Sequence, residues 1–81
     1  MKPIRLSTHA RGFLENRGVT AAEVEETILN TPWLPSEHGA NRLECSKEFP
    51  YGQDWKGKPY AFKRVHPLFV EEDVKIVVIT V

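Results

Sequence analysis

The sequence predicts an α+β fold, with an N-terminal helical hairpin packed on one face of a three- to four-stranded antiparallel sheet. Helical spacing and capping signals are confined to residues 7–31, whereas the longer strand-like segments begin after residue 41. A run of helices followed by a run of strands is typical of this fold class. The chain has 81 residues, so we expect a single small domain over residues 1–81.

The first helix is predicted from about residue 9 to residue 16 or 17, after a short strand or extended lead-in over Ile4–Leu6. Ser7 or Thr8 is suited to cap its N-terminus, because a hydroxyl can accept an orphan backbone amide. Gly18 stands where a left-handed residue commonly ends a helix. The apolar side of this helix is formed by three residues at helical spacing: Ala10, Phe13 and Leu14.

The second helix has the clearest local signals in the sequence. Thr20 and Glu23 have the spacing of a capping box, and Val19 and Val24 can form the accompanying hydrophobic staple. Pro32 is expected to end the helix. Its buried side is predicted from four apolar residues: Ala21, Val24, Ile28 and Leu29.

The remainder of the chain is predicted to form the sheet. Three segments have the alternating or β-branched character of strands: 42–49, 60–65 and 74–81. The third of these is nearly continuous in β-branched residues, which favours a central position in the sheet. The intervening segments are predicted to be loops or turns from their Pro, Gly, Asn and polar content: 32–41, 50–59 and 66–73.

The charge of the chain is neutral as a whole but uneven along its length. The formal net charge is zero, so nothing global indicates nucleic acid or a membrane as a partner. Residues 42–66 hold six basic against three acidic side chains. This excess predicts either a basic sheet face that attracts phosphate or a solvated face of mixed charge.

The composition predicts a soluble cytoplasmic protein that has no membrane partner. Hydrophobic residues make up 41% and charged residues 27% of the chain, and its longest apolar run, 76–79, is too short to span a bilayer. The N-terminal residues lack the apolar core of a signal peptide. Cys45, the single cysteine, cannot form an internal disulfide, which fits a reducing compartment.

No metal or other cofactor is expected. Residues 52–58 match the spacing of a phosphate-binding loop, but Pro59 occupies the Ser/Thr position and offers neither a hydroxyl nor an amide. The three histidines, His9, His38 and His66, do not show zinc-ligand spacing with one another or with Cys45.

His9 and Arg17 are the candidate site residues at the two ends of the first helix. Near a helix start, the dipole disfavours the protonated imidazole, so His9 could act as a general base or simply bond neighbouring backbone. Arg17 could bind a phosphate or carboxylate in a bidentate manner. It could also cap the helix C-terminus or pair with a glutamate of the second helix.

Further candidates lie in the predicted strands. Lys63 and Arg64 are adjacent, so their side chains point to opposite sides of a strand, and His66 follows at the strand end. Thr80 could offer a hydroxyl to a site or serve only as a strand former. Four aromatic residues near basic residues could stack on bases or fill the core: Trp33, Tyr51, Trp55 and Tyr60.

The pattern of residues resembles the bacterial domain of unknown function 4258 family. The resemblance spans nearly the whole chain and is strongest over residues 7–28. It is carried by Ser7-x-His9-Ala10, Arg17-Gly18-Val19-Thr20, Glu23-Val24, Ile28 and the closing Val78-Ile79-Thr80-Val81. The family has been grouped by similarity with the RelE/barnase-like toxin fold, in which helices precede an antiparallel sheet.

This resemblance implies a metal-independent ribonuclease of the toxin–antitoxin type, with RNA as substrate and an antitoxin-like protein as partner. His9 would be the general acid or base, and Thr80 would assist. Arg17, with Lys63 or Arg64, would hold the scissile phosphate. The alternative hypotheses are a non-catalytic module that binds a protein or another copy of itself, and a structural remnant without activity.

Overall fold

The computed structural model describes residues 2–37 and 39–81, apart from the side chain of Trp55. Two helices near the N-terminus are followed by most of the strands. The elements in chain order are β1 (Ile4–Leu6), α1 (Thr8–Arg17), α2 (Ala21–Asn30), β2 (Leu34–Pro35), β3 (Leu43–Glu44), β4 (Lys47–Trp55), β5 (Lys58–Val65), β6 (Leu68–Glu71) and β7 (Ile76–Thr80).

Both helices begin and end at the capping residues that the sequence indicates. The Ser7 hydroxyl accepts a hydrogen bond from the Ala10 amide at 3.1 Å, and α1 ends at Gly18, whose φ is 64°. At the start of α2, the Thr20 hydroxyl accepts from the Glu23 amide at 3.2 Å, and Glu23 Oε1 accepts from the Thr20 amide at 2.9 Å. This reciprocal pair confirms the predicted capping box.

The sheet differs from the prediction. Five strands form a mixed sheet in the order β1-β7-β6-β3-β2, and β4 and β5 form a separate two-stranded sheet. Within the larger sheet β1 runs parallel to β7, while the other neighbours are antiparallel. The predicted three- to four-stranded antiparallel sheet is therefore wrong. The helices also divide their contacts, since α1 packs on β7 and β1 whereas α2 approaches β5.

Much of the segment predicted as a loop over 50–59 belongs to strands. The ladder between β4 and β5 tolerates an irregularity between Pro50 and Gln53, where Gly52 has a φ of 65°. Lys56 and Gly57, both with positive φ, make the two-residue turn that joins the strands. The segments 66–73 and 32–41 likewise contain the short strands β6 and β2.

The strands β3 and β4 follow one another along one arm of a long hairpin, and β5 and β6 follow one another along the other arm. Glu44 pairs with Leu68 and Lys47 pairs with Val65, so the register is the same on both sides of a short break. Pro67 lies in this break and has no amide to give to a ladder. Among the described residues, β5 pairs with β4 on one edge and with no strand on the other.

The core lies between the two helices and both sheets. Phe69, Ile76, Val78, Val24 and Ile28 are almost wholly buried there. Two residues predicted for the core, Ala21 and Leu29, are exposed instead. Thr27 takes a buried position on α2, because its hydroxyl donates to the Glu23 carbonyl at 2.8 Å and so leaves no unpaired polar atom.

None of the helices in the described part of the chain is long and apolar enough to cross a membrane.

Candidate nucleic-acid interface

A groove of about 360 Å³ is lined by residues from the C-terminal end of α1, from the β4–β5 hairpin and its end, and from the segment after β7. Four of the six residues predicted from the sequence line it: Arg17, Lys63, Arg64 and His66. Its apolar lining comes from Val19 of the helix–helix turn, from Val81 after β7, and from three aromatic residues of the hairpin: Tyr51, Tyr60 and Phe62.

The other two predicted residues are not part of this lining. His9 is exposed in the first turn of α1, and its ring lies edge-on to the ring of Phe13, with 4.7 Å between the centroids. Thr80 is half-buried in β7, where it pairs in register with Leu68. Thr80 directly precedes the groove residue Val81.

His9 and Arg17 lie on one side of α1. The Arg17 guanidinium carbon is 5.1 Å from the centroid of the Phe13 ring, which His9 also contacts. Spacing of i, i+4 and i+8 places these three residues in one row on a helix. The two predicted site residues at opposite ends of α1 thus share one aromatic neighbour and one face.

Arg17 does not form the ion pair with a glutamate of the second helix that local sequence offered it. Among the described residues, no carboxylate lies within ion-pair distance of its guanidinium, and Glu23 of α2 pairs with Lys63 instead. The side chain is exposed at the groove. Its charge is therefore available to an anionic ligand.

Lys63 has a different environment, because its ammonium group is enclosed by protein. Nζ donates hydrogen bonds to Glu23 Oε1 at 2.8 Å and to the Gly18 carbonyl at 2.5 Å. It also lies 5.0 Å from the centroid of the Tyr51 ring. Only 16% of the Lys63 side chain is exposed, and its ammonium group is already paired with groups of the protein itself.

Glu23 is held as a carboxylate by the same contacts. Burial alone would raise the pKa of Glu23, but the hydrogen bonds from Lys63 and from the Thr20 amide outweigh burial. The pKa of Glu23 therefore lies below its ordinary value. One carboxylate caps α2 and also pairs with β5.

Arg64 projects from the side of β5 opposite to Lys63, as the alternation along a strand requires, and His66 follows the last residue of β5. Arg64 Nη2 lies 3.2 Å from Glu48 Oε2, and Nη1 donates to the Ser46 hydroxyl at 3.4 Å. His66 Nε2 is 3.6 Å from Glu44 Oε1. More than half of each basic side chain remains exposed, 61% for Arg64 and 53% for His66.

The aromatic residues divide between core and groove. Trp33 packs edge-on against Phe69 at 5.1 Å between centroids and donates its indole hydrogen to the Ile28 carbonyl. Tyr60 and Phe62 are 42% and 61% exposed beside the groove. The side chain of Trp55 lies outside the described residues. Rings open to solvent beside cations can stack on nucleobases.

Cys45 has the properties of a core residue. It is 4% exposed and its thiol donates to the Thr27 carbonyl at 3.7 Å. Burial raises the pKa of Cys45, which disfavours the nucleophilic thiolate. His38, considered as a metal ligand, lies outside the described residues. Within 2–37 and 39–81, no three His, Cys, Asp or Glu side chains are grouped to hold a metal ion.

Sequence reasoning missed Phe62 and the acidic partners of the basic residues. The period-2 spacing of Tyr60, Phe62 and Arg64 was a usable signal, because it places all three on one side of a strand. The pairing of Arg64 with Glu48 depends on the register of β4 against β5, which no local pattern specifies.

The groove therefore combines two exposed guanidinium groups, an imidazole and exposed aromatic rings. Guanidinium groups bind phosphate, and an imidazole can exchange a proton near neutral pH. No protein-family model matches this chain, and no curated protein or solved structure was found to be similar to it.

Proposed function

We propose that this protein binds RNA in the groove beside β5 and cleaves it without a metal ion. The observation that supports this function is the convergence of Arg17, Arg64 and His66 on one groove beside the exposed ring of Phe62. The resemblance noted in the sequence points to the same chemistry. The site is assigned from residues and geometry, since fold analogy alone does not establish an activity.

Arg17 is the proposed ligand of the scissile phosphate. Its guanidinium has no carboxylate partner among the described residues and can donate two parallel hydrogen bonds to phosphate oxygens. Arg64 supplies a second contact, weakened by the carboxylate of Glu48 at 3.2 Å. Phe62 provides a surface on which a neighbouring base can stack.

His66 is the proposed general base. It takes the proton of the ribose 2′-hydroxyl, and the 2′-oxygen attacks phosphorus while the bond from phosphorus to the 5′-oxygen breaks. The departing 5′-oxygen takes a proton from solvent water, and the proton held by His66 returns to solvent, which leaves a 2′,3′-cyclic phosphate and a 5′-hydroxyl. Arg17 stabilises the charge that develops on the phosphoryl oxygens. His9, predicted as acid or base, and Thr80, predicted as an assisting hydroxyl, lie outside the groove lining and are given no part in this step.

The same proposal includes a cytoplasmic location and an antitoxin-like partner protein. Such a partner would cover the groove and keep RNA out. The exposed Phe62 and the unpaired edge of β5 support a protein contact at this place.

The decisive assay uses a single-stranded RNA labelled at one end, incubated with the protein in EDTA. We expect wild type to give products ending in 2′,3′-cyclic phosphate and to leave DNA of the same sequence intact, because DNA lacks the 2′-hydroxyl. His66→Ala and Arg17→Ala should each lose at least about a hundredfold in rate. Lys75→Ala, which changes an exposed lysine outside the groove, is the matched control.

Equal cleavage by wild type and His66→Ala would remove His66 from the mechanism, and His9→Ala in the same assay then tests the original assignment. If folded wild type cuts no RNA, the ribonuclease proposal is wrong.

A non-catalytic interaction module is the second candidate. It is favoured by the 61% exposure of Phe62 next to an unpaired strand edge. Sedimentation of the purified protein over a range of concentrations, with Phe62→Ser beside wild type, tests self-association. A dimer lost in Phe62→Ser would support this candidate, and a monomer at every concentration would contradict its self-associating form.

A further inference from the structure

The ammonium group of Lys63 joins three separate parts of the fold. It donates to the carbonyl of Gly18 in the helix–helix turn and to the carboxylate of Glu23 on α2, and it lies over the ring of Tyr51 on β4. Lys63 and Tyr51 line the groove, and Gly18 lies in the chain between the groove residues Arg17 and Val19. Lys63 therefore fixes the turn between the helices against the β4–β5 hairpin.

Arg17 is directly affected by this connection. Gly18 follows Arg17 in the chain, so the carbonyl that Lys63 binds is one residue from the proposed phosphate ligand. Gly18 is also close to Tyr51, since a Cβ atom built on Gly18 would lie 2.7 Å from the Tyr51 hydroxyl. The end of α1 is therefore close to both strands of the hairpin, to Lys63 of β5 and to Tyr51 of β4.

Lys63 is poorly placed to bind phosphate itself. Its side chain is 16% exposed, and a phosphate would have to displace the Glu23 carboxylate at 2.8 Å. That carboxylate also accepts the Thr20 amide, so it cannot leave without opening the capping box of α2. Binding of a phosphate to Arg17 or Arg64, which are exposed in the groove, would not require the capping box to open.

We infer that Lys63 is a positioning residue that holds Arg17 in the groove, rather than a group that contacts RNA. This inference rests on the proposed ribonuclease function. The juxtaposition of Lys63 Nζ, the Gly18 carbonyl and Glu23 Oε1 carries it. Loss of the ammonium allows the end of α1 to move away from β5, and Arg17 moves with it.

The test is a double-mutant cycle between Lys63 and Arg17. We expect Lys63→Met to lower kcat at least tenfold, because a displacement of about 1 Å at a catalytic group can cost about a hundredfold in rate. In an Arg17→Ala background the same substitution should have little further effect. A Lys63 that binds phosphate directly would instead cost a similar factor in both backgrounds, and that result would overturn the inference.

Binding of the same RNA at several salt concentrations gives a second readout. A positioning role predicts that the slope of log K against log salt is nearly unchanged in Lys63→Met. A direct phosphate contact would reduce this slope by about one. A reduction of that size would therefore also contradict the inference.

Glu23→Gln provides a variant that is expected to fold. Glutamine preserves the hydrogen-bonding pattern of a capping box but removes the charge that holds Lys63. We expect it to reproduce the loss of kcat seen in Lys63→Met. The matched control is Glu26→Gln, which lies on the same helix as Glu23 and removes only the exposed ion pair between Glu26 and Lys47 of β4. This variant should behave as wild type.

The structural part can be measured without cleavage. In heteronuclear NMR spectra, the signal of the Arg17 side-chain Nε–H should shift in Lys63→Met and in Glu23→Gln but not in Glu26→Gln. If wild type cuts no RNA and these shifts appear, the function is wrong while the positioning of Arg17 by Lys63 holds. An unchanged Arg17 signal in both variants contradicts the positioning role, whatever the activity.

Discussion

Glu48 and Arg64 face each other across β4 and β5, with 3.2 Å between Glu48 Oε2 and Arg64 Nη2. Both side chains are more than half exposed, so this pair contributes little to folding. Its effect is on the groove, because a carboxylate beside Arg64 opposes the approach of a phosphate. Arg17, which has no such neighbour among the described residues, is the stronger anion ligand of the two.

Glu48→Gln is therefore expected to tighten RNA binding severalfold while changing the free energy of unfolding by less than about 1 kcal/mol. Fluorescence anisotropy with a labelled RNA measures the affinity, and urea unfolding measures the stability. Glu25→Gln, an exposed change on α2, controls for the altered net charge of the chain. Equal affinity in Glu48→Gln and wild type would show that Arg64 does not contact RNA.

Gly18→Ala is expected to destabilise the protein by about 2 kcal/mol or more, because an alanine is strained in the left-handed region. The φ of Gly18 is 64°, and the new Cβ would also meet the Tyr51 hydroxyl at 2.7 Å. Thermal or urea unfolding gives the change. The loss should be smaller in a Tyr51→Phe background, since the hydroxyl is then absent.

Gly12→Ala is the matched control for that substitution. Gly12 lies inside α1 with no atom within 4 Å of the position of its added Cβ. Alanine there should stabilise the protein by about 0.5–1 kcal/mol, because glycine is costly inside a helix. Similar effects of the two substitutions would contradict the geometry assigned to the end of α1.

The stability that Glu23 contributes should depend on pH. Its pKa in the folded protein lies below the ordinary value of 4.5, so the folded state favours the carboxylate. This contribution is complete well above pH 4.5 and is lost as the pH falls from there through the lowered pKa of the folded state. Urea unfolding of wild type and Glu23→Gln from pH 7 down to pH 3 measures the difference.

We expect that difference to shrink steadily across this acid range. A difference that stays constant down to pH 3 would show that the Glu23 charge does not stabilise the fold. Glu26→Gln supplies the comparison for an ion pair open to solvent.

Cys45 should be unreactive in the folded protein. Burial raises the pKa of its thiol, and only 4% of the residue is exposed. At pH 8 an aromatic disulfide reagent should label it at least about a hundredfold more slowly than the unfolded chain, because labelling requires opening of the core. Reaction at the same rate with and without urea would contradict its burial.

The helices could be predicted almost to the residue because their signals are local. Ser7 and Thr20 accept from amides three residues ahead, and Gly18 adopts the left-handed conformation that its position indicated. Capping involves groups within one turn of the chain, so a sequence pattern contains nearly all of the information.

The sheet could not be predicted in the same way. Proline and glycine content indicated a loop over 50–59, whereas the irregularity at Gly52 and the turn at Lys56–Gly57 let two strands run through that segment. The pairing of β1 with β7 joins distant parts of the sequence, and no local pattern specifies it.

The sequence indicated which residues line the candidate site better than it indicated what each residue does there. Charge indicated Lys63 and Arg64 equally, but the fold encloses the ammonium group of Lys63 and leaves the guanidinium group of Arg64 exposed. The difference arises from Glu23 and Glu48, whose positions relative to β5 depend on tertiary structure. His9 lies outside the groove lining because it is in the first turn of α1, whereas the groove includes the last residue of that helix.

The parallel pairing of β1 with β7 also sets an order of assembly during synthesis. Ile4 pairs with Ile76 and Leu6 pairs with Val78, so the first strand has no partner until β7 has left the ribosome. The capped helices and the long hairpin consist of nearer neighbours and can form earlier, because short loops close at lower entropic cost. Val81, which lines the groove together with Arg17, follows β7. A nascent chain therefore carries its arginines and His66 before it carries a finished groove, and any activity at that site begins only after β7 has been made.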